Sequence, residues 1–263
     1  MASDMFSLKG KTVAVIGAGS GIGEAVALGA ASQGARVACL DLFGEKAAAT
    51  AAAITHADGQ AEAAALDIVD RKAVGTALQG LADAHGGLDA VIATPSINVR
   101  KSILAYTGEE FDKVVRVNLN GNFHVLQAAG EIMVTQRRGA IVLFSSIRSL
   151  VTEPGQSVYS MTKAGILQLV RTAATEWGHL GVRVNAVGPG VVETPLTAPI
   201  KAVPDWYNAY ANKNPMRRWA QASEMVGPTI FLISDAASYV TGTILYADGG
   251  WLAADGRFTP PGM

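Results

Sequence analysis

The segment KTVAVIGAGSGIGEAVALGAASQ, Lys11 to Gln33, changes character twice. Lys11 to Ile16 is a short run rich in β-branched residues, Gly17 to Gly23 is dense in glycine, and Glu24 to Gln33 is rich in alanine. That order predicts a strand, a tight turn and a helix. Glycines at Gly17, Gly19, Gly21 and Gly23 leave little side-chain bulk where the helix begins. Backbone N–H groups there can approach an anion such as a pyrophosphate. The spacing is G-x-x-x-G-x-G, because Ile22 occupies a position that the commoner G-x-G-x-x-G dinucleotide fingerprint gives to glycine.

The next strand, Arg36 to Leu40, ends at Asp41, 24 residues after Gly17. A carboxylate at that strand end can accept hydrogen bonds from the adenosine ribose hydroxyls and repels a 2'-phosphate, which predicts NAD rather than NADP. Neither Ser20 nor Leu42 supplies a cation that would hold the phosphate. The pattern continues with a helix (about Glu45 to His56), a strand (Ala61 to Leu66), a helix (Arg71 to His85) and a strand (Leu88 to Ala93). A long helix from about Gly108 to Gln136 contains Asn118, and the strand Ala140 to Phe144 runs into Ser145 and Ser146. A helix carrying Tyr159, a strand from Val182 to Val187, a helix from Ser223 to Ser234 and a strand from Thr243 to Ala247 complete the order. Such alternation predicts a parallel sheet with helices on both faces. Asp67, followed by Ile68, sits at the carboxyl end of the third strand and could bind an adenine amino group; capping of the next helix by Asp67 or Asp70 is an equal alternative. Asparagine costs helix propensity, so Asn118 in mid-helix points to a bend or a specific hydrogen bond.

With 263 residues, 49% hydrophobic and 16% charged, the chain is long enough for one large domain, residues 1–263, and no repeat, linker or low-complexity tract divides it. Residues 191–219 lack clean periodicity and carry Trp206, Tyr207, Tyr210 and Trp219, which suits a substrate loop or plain packing. A balance of 21 basic against 22 acidic residues, with no basic stripe, argues against a nucleic-acid partner. The single cysteine, Cys39, precludes an intrachain disulfide or a cysteine-cluster metal site; no metal is expected. The N-terminal sequence lacks the apolar core of a signal peptide and no long apolar run is present, so a cytoplasmic protein without a membrane partner is expected.

Tyr159 and Lys163 are spaced i, i+4, one turn apart on one helical face. A phenol is a poor acid or base near neutral pH, but a neighbouring cation stabilises the phenolate, and such a pair can move a proton to or from an alcohol oxygen. Alone the spacing is common, and an amphipathic tyrosine beside a solvated lysine is the plain reading.

In combination these parts resemble the classical short-chain dehydrogenase/reductase (SDR) family over nearly the whole chain. They stand as GAGSGIG at Gly17 to Gly23, Asp41, Leu66-Asp67, VNLNG at Val117 to Gly121, Ser146, YSMTK at Tyr159 to Lys163, VNAVGPGVVETP at Val184 to Pro195 and TGTILYADGG at Thr241 to Gly250. Ser146 precedes Tyr159 by 13 residues. The resemblance implies a single Rossmann-type, doubly wound α/β domain with a seven-stranded parallel sheet, NAD along its carboxyl edge, and a catalytic set of Asn118, Ser146, Tyr159 and Lys163. Ser146 would hold the substrate oxygen, Tyr159 would take the alcohol proton, and Lys163 would bind the nicotinamide ribose and lower the Tyr159 pKa. Asn118 would hold a water leading to Lys163. The turn at Pro189, the Val192 backbone and the Thr194 hydroxyl would contact the nicotinamide end. Two departures stand out. The usual N-N-A-G after the fourth strand is replaced by Ala93, Thr94, Pro95 and Ser96, which puts local cofactor contacts in question, and Ile16 replaces a threonine, removing a turn-stabilising hydroxyl.

The activity implied is NAD-dependent oxidation of a secondary alcohol, with a small-molecule alcohol or ketone as partner. Arg148 lies two residues beyond Ser146, and Asn98, Arg100 and Lys101 follow the fourth strand, so the substrate is expected to be a sugar, a polyol or an acidic sugar derivative. The plain alternative pairs these cations with Glu153, Glu193 or solvent. Helices at Lys113 to Ala129 and Tyr159 to Trp177 could pack against copies of themselves, giving a homotetramer as the family does, and the tail from Trp251, with Arg257, Phe258, Pro260 and Pro261, could reach a neighbour. Competing readings are an NADPH-dependent carbonyl reductase, which Asp41 opposes, and a non-catalytic dinucleotide-binding regulatory protein, which the intact catalytic set opposes.

Overall fold

The computed structural model describes residues 4–254. Strand β1 (Thr12–Ile16) is wholly buried and leads through the glycine turn into α1 (Gly21–Ser32). Then come β2 (Arg36–Asp41), α2 (Gly44–His56), β3 (Gln60–Ala65), α3 (Arg71–His85) and β4 (Ala90–Ala93). After a loop, α4 (Gly108–Val115) and α5 (Asn122–Gln136) are joined by a π-helical stretch over Arg116–Gly121, followed by β5 (Gly139–Phe144), α6 (Ser157–Trp177) and β6 (Val182–Pro189). Two-residue strands β7 (Val192–Glu193) and β8 (Ala220–Gln221) pair with each other and bracket α7 (Ala198–Lys201) and α8 (Pro204–Lys213). The helix α9 (Val226–Ile233) and strand β9 (Ile244–Ala247) close the order.

The main sheet has seven parallel strands in the order β3-β2-β1-β4-β5-β6-β9. The strand sequence reverses between β1 and β4, and the crevice outside the carboxyl ends at such a switch point is where open α/β sheets take ligands. Alternate residues of each strand feed opposite layers. Ala14 and Ile16 pack with Val74, Leu78, Val125 and Ile166 from α3, α5 and α6, whereas Val13 and Val15 pack with Val26, Ala47, Ile54 and Ile230 from α1, α2 and α9. A third cluster, Ile147, Tyr210, Ala211, Trp219 and Trp251, lies over the carboxyl edge.

Two local features depart from the pattern read in the sequence. The expected single helix over residues 108–136 is broken by one wide π turn centred on Asn118, a deviation that often marks a functional site. The hydroxyl expected to be missing at Ile16 comes from another strand: Thr94 Oγ1 donates to the Ile16 carbonyl at 3.0 Å. Of the C-terminal tail, Trp251 is buried in the third cluster, and residues from Asp255 onward, including Arg257, Phe258, Pro260 and Pro261, lie outside the described residues. Among the described residues no helix is long and apolar enough to cross a membrane.

Candidate active site

The glycine turn is shaped by contacts that exclude larger side chains. Gly17 has φ 85°, and a Cβ on Gly23 would stand 2.0 Å from the Gly17 carbonyl oxygen. Ser20 precedes α1 without capping it through its side chain, so the first N–H groups of the helix remain available to an anion. A cleft of about 350 Å³ opens there. Gly17, Ser20, Gly21, Ile22 and Gly23 form one wall, and Asp41, Leu42, Asp67, Ile68 and Thr194 line it with them. Asp41 is fixed by two backbone donors, Gly19 N–H at 2.9 Å and Phe43 N–H at 3.0 Å. Asp70 caps α3 by accepting from Ala73 N–H, whereas Asp67 accepts from Val69 N–H and lines the cleft. Pro189 and Val192 are buried and are not among the residues that line the cleft; the Val192 carbonyl accepts from Thr197 Oγ1 at 2.6 Å. Thr194 Oγ1 is 3.2 Å from the same hydroxyl.

A second cavity, about 370 Å³, is lined by Tyr159, Ser146, Asn98, Arg100, Arg148 and Gln156 on its polar side and by Leu196, Ile200 and Trp206 among others on its apolar side. Ser146 Oγ accepts from Arg148 N–H at 3.1 Å, which leaves the hydroxyl hydrogen free to donate. Burial pushes the Tyr159 phenol above its ordinary value; hydroxyls of Ser146 and Ser96, then the charges of Arg148 and Arg100, act in the opposite direction. Lys163 is 1% exposed, donates to the Phe144 carbonyl at 2.8 Å, and is pulled down by burial to about 7. Its Nζ stands 5.5 Å from the centre of the Tyr159 ring. The expected Tyr159–Lys163 proximity is therefore present, but Lys163 is not a solvated, permanent cation, and in this state the charges that lower the phenol are those of the two arginines. Asn118 makes the specific hydrogen bonds that its place in mid-helix pointed to. Its carboxamide bridges both backbone groups of Ile97, accepting from N–H and donating to C=O at 2.9 Å each, and donates to Thr162 Oγ1 at 3.1 Å. The side chain thus clamps the loop after β4.

The two arginines converge on one acid. Glu153 binds Arg100 Nη1 and Arg148 Nη2 at 2.7 Å each and accepts a hydrogen bond from the Tyr210 hydroxyl. Burial favours a neutral Glu153, yet Tyr210, Arg100 and Arg148 more than offset that and hold its pKa below the usual carboxylate value. Arg148 is 7% exposed and lies over the Trp251 ring, while Arg100 lies over Trp206. Two guanidiniums against one carboxylate leave this wall with an excess positive charge. Asn98 donates to Gln156 at 2.9 Å, and its Oδ1 is buried with no partner. Within 191–219, Trp219 is a packing residue, stacked on Tyr207 at 5.0 Å, whereas Trp206 and Tyr210 reach the cavity. Sequence reading singled out neither Ser96 nor Gln156; a serine replacing glycine beside a proline was the available signal for the first, and nothing marked the second.

A glycine-cradled anion site at the switch point, beside a tyrosine, a serine and a buried lysine, defines an oxidoreductase that works with a nicotinamide dinucleotide. A family model described as Enoyl-(Acyl carrier protein) reductase matches residues 17–252. A 3-oxoacyl-[acyl-carrier-protein] reductase of Thermotoga maritima is 33% identical over 244 residues, covering 92% of this chain and 98% of its own. Gluconate 5-dehydrogenase of Gluconobacter oxydans is 33% identical over 250 residues, 94% of this chain and 96% of its own. The crystal structure of a gluconate 5-dehydrogenase from Burkholderia cenocepacia in complex with NADP and tartrate superposes with a TM-score of 0.93 at 30% identity, covering 97% of this chain and all of that one. The chain belongs to the short-chain dehydrogenase/reductase family.

Proposed function

We propose that the protein is an NAD-dependent dehydrogenase that oxidises a secondary alcohol of a polyol or sugar acid. The observation that carries this reading is the single cavity in which the Tyr159 phenol and the Ser146 hydroxyl face a wall bearing the Arg100–Glu153–Arg148 group, next to the glycine-cradled cleft. Sugar-acid dehydrogenases among the relatives, and tartrate in the neighbouring structure, support an anionic substrate. The cleft fits a dinucleotide: the α1 N-terminus offers free N–H groups, Gly17 to Gly23 would hold the pyrophosphate end, and Asp41 and Asp67 would hold the adenosine end. The dinucleotide, when bound, supplies the hydride acceptor. NAD is favoured over NADP by Asp41, whose carboxylate is fixed at the β2 end, and by a lining without lysine or arginine among the described residues. NADP in the neighbouring structure is the observation that favours the second reading, a dehydrogenase using NADP.

In the reaction Ser146 donates to the carbinol oxygen and holds it against Tyr159, whose phenolate takes the hydroxyl proton. Lys163 would hold the nicotinamide ribose hydroxyls, which would add to the single Phe144 carbonyl that its ammonium meets in the protein alone. Asn118 fixes the loop that carries Ser96 to Asn98 against the site. Trp206 and Tyr210, from the loop at residues 191–219, cover the substrate. The groove lined by Phe123 on α5 and Leu169 on α6 lies on the two helices through which copies of the chain would pack, and sedimentation reads whether they form the tetramer expected from the sequence. The test of function is formation of reduced nicotinamide from polyols, sugar acids and simple secondary alcohols, with NAD and NADP in parallel. Activity on sugar acids with NAD that disappears in Tyr159→Phe is expected. Activity confined to neutral alcohols, unchanged in Arg148→Ala, refutes the anionic substrate, and a preference for NADP refutes the role given to Asp41.

A further inference from the structure

The wall of the substrate cavity holds an acceptor for which the protein supplies no donor. Asn98 lines that cavity, and its Oδ1 is buried with no hydrogen-bond partner among the described residues. An unpaired buried acceptor is costly and uncommon, so this one calls for a physical account. Turning the carboxamide over does not relieve it. Asn98 Nδ2 donates to Gln156 Oε1 at 2.9 Å, and Gln156 Nε2 donates to Glu153 Oε1 at 3.2 Å. An ionised carboxylate only accepts, so Glu153 fixes which end of Gln156 meets it, and Gln156 in turn fixes which end of Asn98 meets Gln156. The backbone on either side is held as well. Asn118 bridges both backbone groups of Ile97 at 2.9 Å each, and the Tyr106 hydroxyl donates to the Val99 carbonyl at 2.9 Å. The acceptor is therefore in place before any ligand arrives, and pairing it costs little further ordering.

What the acceptor takes follows from its surroundings. A carboxamide oxygen calls for a donor, which on a small molecule is a hydroxyl or an ammonium group. Arg100 and Arg148 line the same cavity with Glu153 as their one shared carboxylate, so an ammonium would enter against an excess of positive charge. A hydroxyl meets no such penalty. It is not the reacting hydroxyl, which the proposed reaction gives to Ser146 and Tyr159. We propose that Asn98 Oδ1 accepts a hydrogen bond from a second hydroxyl of the substrate, one that is not oxidised, and so selects polyhydroxy compounds over simple secondary alcohols and plain oxo acids. The inference rests on the reading of this cavity as the substrate site. A polyol or sugar acid pairs the acceptor, whereas a compound without the second hydroxyl enters the same place and leaves it unpaired. A site built to hydrogen-bond a hydroxyl rejects the analogue lacking it more strongly than an apolar pocket rejects a change of one methylene.

The experiment compares kcat/KM for D-gluconate, galactitol, their monodeoxy analogues and butan-2-ol in the wild type, Asn98→Leu and Asn98→Ala. In the wild type the analogue missing the partner of Asn98 should fall about ten- to a hundredfold below its parent, and in both variants that gap should close. Closing of the gap is a coupling between one side chain and one substrate hydroxyl, which a general loosening of the loop would not produce. Gaps of equal size in the wild type and in the variants overturn the proposal. A wild type that oxidises butan-2-ol as readily as either parent overturns it without any variant. If the wild type oxidises neither parent with either dinucleotide, the reading of the cavity as a site for polyols and sugar acids has failed, and the inference falls with it.

Discussion

Lys163→Met should stabilise the protein while abolishing its activity, and the size of the gain follows from where the ammonium sits. Burial alone pulls Lys163 from 10.5 to about 7. At about 1.4 kcal/mol per pH unit, holding the charged form in the folded protein costs about 5 kcal/mol. Methionine fills similar space without charge, but leaves the Phe144 carbonyl without its donor, which costs about 1–2 kcal/mol. The variant should therefore be about 3 kcal/mol more stable at pH 7. The pH dependence has a definite sign. Below the folded value the lysine is protonated in both states and the whole cost applies. Between about 7 and 10.5 the unfolded chain binds a proton that the native chain does not, so wild-type stability rises with pH relative to the variant. The difference should narrow by about 1.4 kcal/mol per pH unit, and titrations shared by both proteins cancel in it. Urea unfolding at pH 7, 8 and 9 without dinucleotide measures this. A variant less stable than wild type at pH 7, or a difference that stays flat to pH 9, would refute the reasoning.

Gly23→Ala places a Cβ 2.0 Å from the Gly17 carbonyl and should cost about 3 kcal/mol or more; thermal melts with and without dinucleotide should show both a lower Tm and no ligand-induced rise. Trp219, 2% exposed and stacked on Tyr207, should cost about 3–5 kcal/mol on truncation to alanine, read by urea midpoint. Cys39 is fully buried and its thiol is pushed up to about 11, so iodoacetamide should leave it untouched in the native protein at pH 8 and label it in urea.

The sheet was legible because its inner strands β1, β4 and β5 are short apolar runs bounded by turns, and burial on both faces demands that composition. The glycine turn was legible for a related reason, since Gly17 and Gly23 occupy places where any side chain collides. What escaped the sequence lies in contacts between residues distant along the chain. Thr94 donating to the Ile16 carbonyl spans 78 positions, and although Glu153 stood among the partners open to Arg100 and Arg148, the closing of Tyr210 on it comes from 57 positions away. The i, i+4 spacing of Tyr159 and Lys163 placed them together but carried no information on solvent. That is why the spacing alone fitted a solvated lysine as well as the buried amine near its titration point that the structure has.

The clasp around Glu153 also governs how an anion would be received. A visiting carboxylate does not meet bare guanidiniums; it displaces, wholly or in part, a resident one already bound to Arg100 and Arg148. The pocket then behaves like an ion-exchange resin in its counterion form, in which retention reflects the difference between two similar ions. On the proposed reading of an anionic substrate, such exchange would keep the arginines aligned between turnovers, hold affinity to a moderate value, and let the oxidised product leave as Glu153 reclaimed its partners.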